Sequence, residues 1–171
     1  MTPPPGTHEL SDGQGNSAEN DFMQYARDEF ASFAGAENFN RVAEKIVPIE
    51  AEKGRLLCEL TVEDDHLNSK GTVHGGMAAS IVDIVTARAV GLTTRDKGMA
   101  SIEISVSYLA PILRGDVITI EANVLKNGRT IAFTECELRK KSDGRLCVKG
   151  RHTIAFLPGQ PPVHNGKPQL F

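Results

Sequence analysis

His74-Gly75-Gly76-Met77-Ala-Ala-Ser-Ile-Val-Asp83-Ile-Val-Thr86-Ala-Arg88-Ala-Val-Gly-Leu92 decides the fold. From Gly75 onward the stretch predicts one helix, to about Thr94. It is apolar on nearly every face, so the helix is expected to be buried on most sides. Asp83 breaks the pattern, because a carboxylate is costly to bury among aliphatic side chains unless it is paired or used. Two structural readings stand beside a functional one: a bond from a hydroxyl such as Ser80, or an ion pair with Arg88. The glycine pair sits two turns earlier, where a helix start leaves backbone N–H groups unpaired at the positive end of the dipole. A polarising N–H and a carboxylate on one segment are parts that hydrolysis of an activated acyl group requires.

Outward from this helix, the chain reads as strands. Val42–Glu50 and Arg55–Val62 flank a Glu52-Lys53-Gly54 turn, and Pro48 marks the first as an edge or a bulge. Beyond Gly98 the period becomes two, over Ser101–Leu109, Val117–Leu125, Thr130–Arg139 and Arg145–Phe156. Asn127-Gly128 and Asp143-Gly144 serve as hairpin turns. Upstream, Phe22, Ala26, Phe30 and Phe33 form one stripe of a helix starting at Ser17 and stopped by Gly35. The fold class is α+β: an antiparallel sheet of about six strands wrapped around one long helix. Such a sheet leaves edges and part of the helix uncovered, which predicts pairing of two copies. Residues 1–16, rich in Pro and Gly, are expected to be disordered, residues 17–158 form the domain, and 159–171 an irregular tail.

Composition narrows the function. A net charge of −3 with 24% charged residues gives no basic face for nucleic acid and no pull toward a membrane surface. No apolar run is long enough for membrane insertion. Residues 1–20 carry no Lys or Arg, unlike a secretory or transit leader, so a cytoplasmic location is the default, with mitochondrion and nucleus open. Cys58, Cys136 and Cys147 have no metal or disulfide spacing and read as small hydrophobes. No His-Glu-x-x-His or comparable spacing predicts a metal, and His8 and His164 fall in the irregular ends. His74 reads as a residue near the helix N-cap, Asn68 and His66 as polar loop residues, and His152 as an ordinary exposed strand residue. Lys126-Asn127-Gly128-Arg129-Thr130 reads as a solvated turn that alternatively holds phosphates.

The ordered set Asn68, His74-Gly75-Gly76, Asp83, Ser101 and Tyr108-Leu109-Ala110-Pro111 resembles the hotdog-fold acyl-CoA thioesterases of the phenylacetic-acid-degradation type. The likeness runs from about Phe39 to Phe156. It implies that Gly75 polarises the thioester carbonyl, that Asp83 is base or nucleophile, and that Ser101 holds the water. Asn68 and His74 would orient the substrate or the glycine loop. By the same likeness, CoA is held by Tyr108–Arg114, including Leu113 and Arg114, and by Lys126–Thr130, with His152 near the site. It implies a homodimer with a continuous sheet and shared sites, often doubled into a homotetramer. Acyl-CoA of medium to long chain is the expected substrate. No cofactor is expected, CoA being part of substrate and product. A non-catalytic acyl-CoA-binding module and an enoyl-CoA hydratase or dehydratase are the alternatives.

Overall fold

The computed structural model describes residues 15–160, with side chains from Ser17 onward. The readings for residues 1–14 and 161–171 lie outside the described residues. The element order is helix α1 (Gly15–Ala31), strands β1 (Val47–Glu52) and β2 (Arg55–Thr61), helix α2 (Gly75–Gly91), then β3 (Gly98–Tyr108), β4 (Val117–Asn127), β5 (Ile131–Lys140) and β6 (Leu146–Leu157). The six strands form one antiparallel sheet in the order β1-β2-β4-β5-β6-β3.

The sheet curls around α2, which packs against β2 to β6. Ile81, Val82, Val85, Ala89 and Val90 of the helix are buried. They meet the inward sets of the strands: Leu56, Cys58 and Leu60 on β2, Ile118, Ile120 and Ala122 on β4, Cys136 and Leu138 on β5. This alternation is the period-two pattern of the sequence. β1 is an edge strand, and its register shifts between Pro48 and Glu50, because Pro48 has no N–H for a regular ladder. Gly54 takes φ +79°, the left-handed conformation that the β1–β2 turn requires.

Several boundaries differ from expectation. Phe39–Ala43 forms a 3-10 helix, capped by the Asn38 side chain accepting from the Asn40 N–H, so residues 42–46 are not strand. Val42, Ala43 and Ile46 mimic a strand in sequence, yet they plug the end of the core. α1 starts at Gly15, two residues before Ser17, and ends before Gly35. α2 ends at Gly91, three residues before Thr94. Helix α2 is also not enclosed all round. Gly76, Ala79, Ser80, Asp83 and Ala87, spaced three and four apart, form a stripe that the chain leaves partly open.

α1 docks through Ala26, Phe30 and Phe33, with Phe22 alongside. Its buried Glu29 lies 3.2 Å from Arg88 Nε of α2, and the Arg88 guanidinium sits over the Phe33 ring at 5.2 Å. Arg88 is thus committed to α1.

Helix and sheet approach closely at Gly150 of β6. A Cβ there would lie 2.6 and 2.7 Å from the two methyl carbons of Val82 and 3.2 Å from its Cβ. Rotating Val82 does not relieve the last contact, so Gly150→Ala should push α2 off the sheet. The expected loss is about 1–3 kcal/mol, as for overpacked cores, read as a lowered urea midpoint. Adding Val82→Ala should recover part of it.

Candidate active site

Two groups of residues are built on the two halves of α2. The first surrounds its N-terminus. His74 is the N-cap, and its Nδ1 accepts from the Gly76 N–H at 2.9 Å. A Cβ on Gly76 would stand 3.0 Å from that nitrogen, so any larger residue would make the ring shift. The cap uses the Gly76 donor, while no acceptor among the described residues takes the Gly75 N–H. Gly75 therefore presents a free N–H at the positive end of the helix.

This N–H opens into a cleft of about 370 Å³ lined by Asn68, Thr72, Val73, Gly75, Ala78 and Tyr108, with Leu109, Ala110, Pro111, Ile112 and Val148. Asn68 shapes its rim. Its Oδ1 accepts from the Lys70 N–H at 2.8 Å and its Nδ2 donates to Thr72 Oγ1 at 2.9 Å, so the side chain folds the loop that leads to His74. The Tyr108 hydroxyl donates to the Gly75 carbonyl at 2.9 Å, which ties the end of β3 to the start of α2.

The second group lies two turns along. Asp83 projects from the open stripe, its side chain 43% exposed in the single chain. Ser101 Oγ donates to Asp83 Oδ1 at 2.8 Å. This reach depends on a bulge: the β3 register against β6 shifts between Ser101 and Glu103, with Ile102 as the extra residue. Ser101 and Ile104 can then both face inward, which a regular strand forbids at a spacing of three. Neither structural reading of Asp83 survives, since Ser80 donates to the Gly76 carbonyl and Arg88 pairs with Glu29.

His152 is not the exposed strand residue the sequence suggested. It is 2% exposed. Its Nδ1 lies 2.7 Å from Thr86 Oγ1, and its Nε2 lies 3.4 Å from Asp83 Oδ1. That second contact is short enough for an ion pair but misaligned as a hydrogen bond, so Nε2 is buried without a partner. Burial holds the imidazole below its usual range, with Asp83 opposing. The available signal was parity: Val148, Gly150, His152, Ile154 and Phe156 all fall on the inward face of β6.

The proposed CoA contacts do not assemble in one chain. Tyr108–Arg114 begins where β3 ends, while Lys126–Thr130 joins β4 to β5 at the opposite end of the sheet, about 30 Å away at strand rise. Around Arg114, the Leu113 N–H donates to Asp116 Oδ2, and the Arg114 guanidinium pairs with Asp64 at 3.0 Å. In the far turn, Asn127 points inward to Thr94 Oγ1 at 2.9 Å, after a register shift between Val124 and Lys126. Gly128 closes that turn with its N–H on the Ile131 carbonyl, and the Thr130 carbonyl accepts from Phe156. Lys126 and Arg129 have no carboxylate partner among the described residues. Among those residues no helix is long and apolar enough to cross a membrane.

The thioesterase superfamily model matches residues 70–147, from the loop before Gly75 to the start of β6. A putative esterase of Caenorhabditis elegans is 58% identical over 139 residues, 80% of this chain and 82% of its own. Human acyl-coenzyme A thioesterase 13 is 39% identical over 130 residues, 76% of this chain and 93% of its own. The crystal structure of zebrafish thioesterase superfamily member 2 superposes with a TM-score of 0.76 at 35% identity, covering 79% of this chain and 98% of that one. With a six-stranded sheet around α2 and relatives aligned along most of their length, the chain belongs to the thioesterase superfamily as a hotdog-fold thioester hydrolase.

Proposed function

We propose that the thioester is a fatty acyl-CoA, of medium to long chain, hydrolysed to the free acid and CoA at a site shared by two subunits. The observation that carries the proposal is a distance. Gly75 and Asp83 are eight residues apart on one helix, about 12 Å at helical rise. A general base must come within roughly 3 Å of the proton it takes. One chain's Gly75 and Asp83 therefore do not serve one carbonyl, and each needs the other from a partner.

β3 is the edge for that pairing. It has 11 residues, no proline, and an exposed Ile102, whereas β1 is short and broken by Pro48. Unprotected edges of this kind are where sheets extend. A two-fold axis makes the two β3 strands antiparallel. The partner's Lys126–Thr130 end then comes alongside this chain's Tyr108–Arg114 end, which answers their separation within one subunit. A second pairing of dimers would make the tetramer.

In this site the Gly75 N–H, at the helix's positive end, donates to the thioester oxygen as charge grows on it. The partner's Asp83, held by its Ser101, takes a proton from the attacking water or attacks the carbonyl itself. The C–S bond breaks, and the electron pair leaves on the thiolate of CoA. His74, which a dehydratase reading would use as its acid–base group, is engaged with Gly76. The human relative's name, acyl-coenzyme A thioesterase 13, supports the acyl-CoA assignment.

With acyl-CoA and a thiol-trapping reagent, Asp83→Asn should lower kcat by roughly 10²–10⁴-fold, the usual worth of a general base. Equal rates would remove Asp83 from the mechanism, and acyl-CoA binding without thiol release from the unmodified chain would favour a non-catalytic module. The shared site has its own test. Asp83→Asn and Gly75→Pro chains are each expected to be inactive. Co-expressed, they should regain about a quarter of wild-type activity, since half of random dimers hold one intact site of two. No recovery, with mixed dimers verified by mass, would place both residues in one subunit's site.

A further inference from the structure

We infer that Thr86 is a positioning residue, fixing His152 as the tautomer with its proton on Nδ1 and presenting a bare Nε2 lone pair to Asp83. The inference rests on the reading of Asp83 as the reacting carboxylate and adds to it what the buried ring presents to that carboxylate.

Counting protons gives the tautomer. Thr86 is fully buried. Its Oγ1 lies 2.7 Å from the Val82 carbonyl, 3.2 Å from the Asp83 carbonyl and 2.7 Å from His152 Nδ1. A hydroxyl has one proton, and a carbonyl only accepts. If Thr86 donates to Val82 O, the back-bond ordinary for Thr in a helix, then Nδ1 donates to Thr86 Oγ1. Both protons are used at 2.7 Å. In the other arrangement Thr86 donates to Nδ1, and the ring proton moves to Nε2. There it meets only Asp83 Oδ1, at 3.4 Å and out of line. A buried N–H without a good acceptor costs about 1–3 kcal/mol, so the first arrangement is the lower one. The backbone of His152 is fixed independently, its carbonyl accepting from Thr134 Oγ1 at 2.9 Å.

No other charge competes for the ring. From α2 only Asp83 faces it. β5 contributes Thr134, and Ile104 stands opposite on β3. Glu103, Glu135 and Arg151 alternate to the outer face of the sheet. Burial keeps the ring neutral before the reaction.

The lone pair acts on the carboxylate electrostatically, across 3.4 Å and without a hydrogen bond. As water attacks the thioester carbon, its proton goes to Asp83, which the facing lone pair makes the more favourable place for it. When the C–S bond breaks, Asp83 gives that proton to the thiolate, and the ring keeps its Nδ1–H form throughout. His152 is held by Thr86 and bears on the reaction only through Asp83.

The test reads the tautomer directly, in the full-length protein labelled with ¹⁵N. Long-range ¹H–¹⁵N spectra near neutral pH should show His152 with its proton on Nδ1, with His152→Asn used for assignment. In Thr86→Val the Nδ1 proton loses its acceptor, and the ring should change to Nε2–H. A donor now faces Asp83 and favours its ionised form. The acid limb of the kcat profile should then move to lower pH. kcat should fall roughly tenfold, the low end of losing a partner that fixes a ring, with KM unchanged. Thr86→Ser should restore tautomer and rate together. A wild-type ring protonated on Nε2 overturns the inference without any variant, even if Thr86→Val does not fold. So does a folded Thr86→Val with wild-type kcat and pH profile. If Asp83→Asn hydrolyses acyl-CoA normally, the catalytic reading fails, while the spectrum still reports the tautomer.

Discussion

Covering α2 is the constraint on which the other elements depend. Its apolar faces must leave water, and no surface helix position would allow that. Five strands curl around it, and β1 extends the sheet. The 3-10 helix at Phe39–Ala43 closes the core beside it, and α1 packs along β1 and reaches the C-terminal half of α2 through Glu29 and Arg88. A single six-stranded sheet cannot close into a tube around a helix, so one stripe of α2 stays open. Asp83 is on that stripe. The acid is tolerated because folding leaves it a path to solvent, and the proposed shared site would have a partner cover the same stripe.

Two bulges refine the site that this covering creates. A strand fixes which face a side chain occupies by parity alone. Ser101 would face outward if β3 ran regularly from Ile104, and Asn127 likewise if β4 ran regularly from Val124. The register shift at Ile102 turns Ser101 to Asp83, and the shift after Val124 turns Asn127 to Thr94, just beyond the end of α2. One extra residue in each strand thus links sheet and helix at points where a hydrogen bond is needed, at the expense of one ladder position.

The legibility of each part follows from how local its cause is. The helix, the strands and their turns were readable because period and glycine chemistry act over a few residues. Asp83 was readable because it violates the period of α2. Residues 42–46 misled because apolar residues closing a core have the same composition as a strand. Ser101's contact was not readable from spacing, since a bulge leaves no mark in a polar stretch such as Ser101-Ile-Glu-Ile-Ser. His152 sat between Arg151 and Thr153, and these two polar neighbours hid its parity with Ile154 and Phe156. The separation of the two stretches expected to hold CoA depends on strand order, which no single strand encodes.

Two buried nitrogens lack hydrogen bonds among the described residues, Arg88 Nε and His152 Nε2, and the contrast between them separates structure from chemistry. Arg88 lies against Glu29 and over Phe33, so charge and ring together hold it, and its work is docking α1. His152 has no such surroundings. Its one charged neighbour is Asp83, and its other nitrogen is tied to a threonine that already serves the helix. A buried lone pair facing a carboxylate adds nothing to stability. Such a group is informative where the neighbour is the carboxylate proposed as the base. The same burial that makes the sheet close around α2 therefore sets the protonation of His152. The fold places Asp83, and it also places the buried ring behind it.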